Sequence, residues 1–70
     1  MCVIIYKPAG VKLPSLAILD QAQSLNRDGC GICSPSVTYK GLSYKSFLAH
    51  LSKCDEEEPV LIHFRMATHG

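Results

Sequence analysis

A cysteine at position 2, directly behind the initiator methionine, could do chemistry that an internal cysteine cannot. Methionine aminopeptidases remove Met1 when the next side chain is small, and removal leaves Cys2 with a free α-amino group. One residue then holds both a thiol nucleophile and a base, whose pKa of about 7.7–8.0 suits proton transfer near neutrality. A thiol with a pKa of about 8.5 is already partly ionised and strongly nucleophilic. Read only as a side chain, Cys2 is a small apolar residue opening a buried strand.

A second cluster closes the sequence, His63-Phe64-Arg65-Met66-Ala67-Thr68-His69-Gly70. Arg65 offers a planar fork that grips a carboxylate through two parallel hydrogen bonds. Thr68 and His69 fall where a strand gives way to a loop, a usual place for site residues. The plainer alternative makes Arg65 a surface charge and the histidines ordinary polar residues.

Cys30-Gly31-Ile32-Cys33 has the C-x-x-C spacing of zinc and redox sites. Zinc takes four ligands, usually from two such pairs. Here Cys2 and Cys54 are isolated, and His63 and His69 do not stand at a matching spacing. A redox C-x-x-C precedes a helix whose N-terminus lowers the thiol pKa, whereas Pro35 and a strand-like run follow this one. The pair therefore reads as two buried thiols near a hairpin, with no metal and no cofactor.

The elements that must position these residues follow from periodicity and punctuation. Cys2–Tyr6 is a β-branched and aromatic run ended by Lys7-Pro8-Ala9-Gly10, a buried strand and a turn. Pro14 and Ser15 open a helix whose apolar stripe is Leu16, Leu19, Ala22 and Leu25, with Ile18 beside it. Asn26 and Gly29 end it, both tolerating left-handed backbone. The segments around Cys30–Cys33 and Val37–Lys40 form two short strands of a hairpin, broken by Ser34-Pro35-Ser36 and closed by Gly41. Ser43 caps a second helix with Tyr44, Phe47, Leu48, Leu51 and Cys54 on one face. Asp55-Glu56-Glu57-Glu58-Pro59 is a solvated loop, because negative charge and proline both oppose a helix C-terminus. Val60–Arg65 is a strand whose uniformly apolar start places it in the middle of a sheet. The order β-α-β-β-α-β predicts an α+β fold with the helices against one sheet face.

Composition bounds what such a fold can be. Seventy residues make one small domain with a marginal core. Hydrophobic residues at 47% and charged residues at 19% are too apolar and too weakly charged for disorder. A net charge of +1 without a basic block gives no nucleic-acid footprint. No apolar run approaches the roughly 18 residues of a membrane span. The N-terminus has no basic region of a secretory signal, so the reading is a cytoplasmic protein with reduced thiols.

Three segments together resemble the class II glutamine amidotransferases, which are N-terminal nucleophile hydrolases: Met1-Cys2 opening the first strand, Asn26-Arg27-Asp28-Gly29-Cys30-Gly31-Ile32, and His63-Phe64-Arg65-Met66-Ala67-Thr68-His69-Gly70. The last is similar to the family's H-x-R-x-A-T-x-G motif and is the most specific of the three. The spelling is closest to stand-alone amidotransferase-like proteins of bacteria and phages. The resemblance implies that Cys2 attacks the side-chain amide of glutamine, with its α-amino group shuttling the proton. Arg65 would hold the substrate carboxylate, Thr68 and His69 would line the pocket, and Gly29 and Gly31 would serve backbone geometry beside the nucleophile strand. The family's oxyanion Asn-Gly pair and its acidic holder of the substrate amino group lie beyond the Thr-His motif. Residues 1–70 are thus expected to be the N-terminal part of an αββα sandwich, with doubtful activity in isolation. The rival expectation is a catalytically silent derivative of that lineage. It would bind a protein partner or self-associate through an uncovered sheet face.

Overall fold

Two serines set the helices. The computed structural model describes residues 2–66, and within them Ser15 Oγ accepts the Ile18 N–H at 3.3 Å to start α1 (Leu16–Leu25). Ser43 Oγ accepts the Ser46 N–H at 3.1 Å to start α2 (Tyr44–Leu51). Each cap satisfies one of the amide donors that a helix leaves unpaired at its first turn. At the far end of α1 the buried Asn26 caps differently from expectation. Its φ of −140° is not left-handed; instead its backbone N–H donates to Gln23 O and its Nδ2 to Ala22 O at 3.0 Å.

Four strands, β1 (Cys2–Lys7), β2 (Gly29–Cys33), β3 (Thr38–Gly41) and β4 (Val60–Arg65), form one antiparallel sheet in the order β1-β4-β2-β3. The fold is a small α+β arrangement of this sheet and two helices. As the apolar start of β4 predicts, that strand lies inside the sheet, between β1 and β2. Side chains alternate across a strand, so Val60, Ile62 and Phe64 of β4 face the helices and are fully buried. Leu61, His63 and Arg65 face the other way.

The core lies wholly on the helix side. Phe47 and Leu51 of α2 and Leu19 of α1 pack with Cys30, Ile32, Val60, Ile62 and Phe64. The Phe47 and Phe64 rings are 5.1 Å apart, with Tyr44 5.7 Å from Phe47 and 6.2 Å from Phe64. These offset and tilted arrangements suit the ring quadrupoles. The Tyr44 hydroxyl donates to Asp20 Oδ1 at 2.5 Å and so ties α2 to α1.

Three expectations need correcting. The first strand is not buried: β1 is a sheet edge, with Ile4 and Tyr6 exposed on the open face. The stripe on α1 is narrower than its spacing suggested, since Leu19 is buried and Ala22 half-buried while Leu16, Ile18 and Leu25 are exposed. The Cys30/Cys33 pair is not two buried thiols, because a three-residue offset on a strand puts them on opposite faces, Cys30 buried and Cys33 exposed.

Lys7 does what its residue type does not announce. It is only 2% exposed, and its Nζ donates to the carbonyls of Pro8 (3.1 Å), Val11 (2.7 Å) and Glu56 (2.8 Å). The ammonium has three donors, and all three are used. It pins the turn after β1, where Gly10 takes a φ of +79°, to the acidic loop before β4. That loop is largely exposed as expected, but Glu58 is tied down. Ser36 Oγ donates to its carboxylate at 2.7–2.8 Å, and the N–H groups of Ser36 and Asp55 donate at 3.2 and 3.1 Å. Among the described residues, no helix is long and apolar enough to cross a membrane.

Candidate functional site

The face of the sheet away from the helices carries the residues with chemistry. Its composition follows from register and alternation. Cys2 is paired with Arg65, and Arg65 in turn with Gly29, which makes one transverse row across β1, β4 and β2. The next row is Ile4, His63, Gly31 and Lys40, and the third is Tyr6, Leu61, Cys33 and Thr38. Directly opposed residues of antiparallel strands have Cα atoms about 4.5–5.5 Å apart. The first and last strands of the chain, far apart in sequence, thus bring Cys2 and Arg65 side by side.

Cys2 is exposed and has a free thiol. Arg65 is also exposed, and its guanidinium has no hydrogen-bond or ion-pair partner among the described residues. An exposed thiol on β1 thus stands beside an exposed guanidinium on β4. Thr68 and His69 lie outside the described residues. Gly29 and Gly31 were expected beside the nucleophile strand; they lie one strand further away, with β4 between them and β1.

Those glycines floor an open trough of about 550 Å³. Arg65 and His63 of β4 form one wall, and Lys40 and Thr38 of β3 contribute to the other. Gly31 is close to its neighbour: a Cβ there would come 3.2 Å from the Tyr39 carbonyl oxygen. Cys2 is outside the trough, on the far side of Arg65. His63, which the sequence reading placed in its second cluster without a role, and Lys40, which it did not single out, also line the trough. Their signal was only that both fall on the open-face parity of their strands, which requires the register to be known.

The remaining titratable groups near this sheet are structural. The Cys30 thiol lies 3.6 Å from Gly41 O and 3.7 Å from Ser43 O, and burial pushes its pKa up, so it stays a thiol. With Cys33 on the other face, the two cannot close on one ion. Among the described residues no group of three or more histidines, cysteines or acids is placed to hold a metal. Burial, and then the Asp20 carboxylate that accepts its hydrogen bond, push the Tyr44 hydroxyl well above the usual range. The Ser34 and Ser36 hydroxyls, with the Asp55 N–H, hold the Glu58 carboxyl down at about 2.

Comparison with known protein families, with curated proteins and with solved structures finds no match to this chain.

Proposed function

We propose that the chain belongs to the lineage of class II glutamine amidotransferases and carries the nucleophile side of a glutaminase site. The observation that supports this most is the β1–β4 register, which sets Cys2 directly beside Arg65 on an open face. In this reading Met1 is removed and the α-amino group of Cys2 takes the thiol proton. The thiolate attacks the side-chain carbonyl carbon of glutamine, whose α-carboxylate rests on Arg65. The C–N bond breaks, the proton passes to the leaving nitrogen, ammonia departs, and a glutamyl thioester remains on Cys2. Water then cleaves the thioester, giving glutamate and the free thiol. Thr68 and His69 belong to the same proposal as pocket residues, glutamine is the substrate, and the setting is a reducing cytoplasm. The wider αββα architecture is also part of it.

The 70 residues contain no Asn-Gly pair. The alternative is a catalytically silent binding module. It is favoured by the exposed Ile4, Tyr6 and Leu61, which form an apolar band across the open face.

One experiment separates the two. Intact-mass measurement establishes whether Met1 is removed, and the processed protein is then treated with a glutamine-analogue electrophile. The amidotransferase reading expects a single adduct on Cys2, abolished in Cys2→Ala and strongly slowed in Arg65→Ala. A processed, folded protein that forms no adduct overturns it and leaves the binding module.

A further inference from the structure

The register of β1 decides which of its side chains reach the open face, and the apolar residues of β1 do not fix it. In the observed register Val3, Ile5 and Lys7 turn toward the helices, while Cys2, Ile4 and Tyr6 turn away. A slip by one residue exchanges the two sets. Cys2 and Ile4 would then stand where Val3 and Ile5 stand, a small residue for a small one and isoleucine for isoleucine. Exchanges that conserve volume are the ones a packed face tolerates best.

Lys7 is the residue for which the exchange fails. Its Nζ donates to carbonyls from both sides of the pairing: Pro8 and Val11 follow β1 in the chain, and Glu56 precedes β4. A slip of one residue moves β1 about 3.4 Å along β4 and turns the Lys7 side chain to the opposite face. A slip of two residues keeps the face and moves the strand about 6.8 Å. Pro8 and Val11 travel with β1 while Glu56 stays with β4. Either slip therefore pulls the cage apart and strips a buried ammonium of its acceptors. The Gly10 N–H also donates to Glu56 O, at 2.9 Å, and that bond belongs to the turn that Lys7 holds through Pro8 and Val11.

Lys7 pairs with Val60 at one end of β1, and Cys2 pairs with Arg65 at the other. We infer that Lys7 is a positioning residue: its caged ammonium sets the β1–β4 register and so places Cys2 beside Arg65. After a slip of one residue Cys2 faces the helices. After a slip of two it stands beside His63 or beyond the end of β4. The use of that placement on glutamine rests on the amidotransferase reading; the control of register by Lys7 does not.

The test reads register and chemistry separately in wild type, Lys7→Met and Ile5→Ala. Lys7→Met keeps a long side chain and removes every donor. Ile5→Ala removes a half-buried side chain of β1 and keeps the cage. Spectra are recorded in trimethylamine N-oxide, which favours the folded state. In wild type and Ile5→Ala, cross-strand NOEs join the register partners Ile4 and His63, and Tyr6 and Leu61. In Lys7→Met that set weakens and a second set appears, displaced by one or two residues along β4. A misplacement of about 1 Å can cost roughly 100-fold in rate, so processed Lys7→Met takes the glutamine-analogue electrophile on Cys2 at least about tenfold more slowly than wild type. Arg65→Ala slows that variant no further. An unchanged NOE set in Lys7→Met, a displaced set in Ile5→Ala, or labelling of Lys7→Met that still depends on Arg65 overturns the inference. So does a Lys7→Met protein that stays unfolded in the osmolyte, because the fold and not the register then needs Lys7. A displaced set in Lys7→Met, with a processed wild type that takes no electrophile, keeps the register role and removes the glutaminase reading.

Discussion

The two faces of this sheet are built from the same strands and obey opposite rules. On the helix face, Phe64, Ile62 and Val60 have no exposure and are surrounded by aromatic and aliphatic neighbours. On the other face, Arg65, His63 and Leu61 of that strand stand beside Cys2, Ile4 and Tyr6, and several of these are largely exposed. Packing decides which residue can occupy the first face, because a lost methylene leaves a void. Nothing on the second face is held by packing of that kind, so its residue types are free to answer to chemistry. Alternation along β4 is the device that lets one six-residue segment serve both ends.

The largest expected effect breaks the helix face. Phe64→Ala should cost about 3–5 kcal/mol, the range for a buried aromatic truncation. That is a large share of what so small a domain has, and denaturant unfolding would show it as a collapsed midpoint. Lys7→Met comes next. It deprives three carbonyls of a charged donor, each such bond being worth about 1.5–3 kcal/mol, and a loss of about 2–3 kcal/mol is expected. A wild-type midpoint in that variant would show that the carbonyl cage holds nothing together.

The third prediction is a matter of pH. Glu58 is held near 2 in the fold against an ordinary value of 4.5. A depressed carboxyl contributes stability above its unfolded value and loses it as pH falls toward its folded one. Acid unfolding should therefore steepen between about pH 4.5 and about pH 2, and Glu58→Gln should flatten that window. A variant curve parallel to the wild type would remove the serine clamp from the account. The smallest effect belongs to the open face: Ile4→Thr should move stability by less than about 0.5 kcal/mol, as for other exposed sites. A loss of several times that size would mean the face is covered in solution, and the contrast between the two faces would have to be redrawn.

Much of this was legible in the residues because the signals are local. Ser15 and Ser43 announce the helix starts, Pro59 follows the acidic loop, and the Tyr44–Leu51 spacing gives the helix face that is buried. The orientation of β1 was not legible, because Val3, Ile4 and Ile5 are all apolar and only pairing decides which of them faces out. Lys7 was not legible either, since no pattern marks a lysine whose acceptors come from two loops far apart in sequence. The meeting of Cys2 with Arg65 had support only from a resemblance. Register across such a separation is a property of the whole sheet. Lys40 and His63 share that cause.

The strand order also governs when this sheet can come into being. β4 joins β1 to the hairpin of β2 and β3, yet it is the last of the four to leave the ribosome. At roughly 5–20 residues per second, β1 waits for several seconds with no hydrogen-bonding partner. The helices meanwhile have no Ile62 or Phe64 to pack against. The four-stranded sheet can therefore be completed only once residues 60–65 are available. A nascent chain halted before them would present an unpaired apolar strand to whatever chaperone stands at the exit.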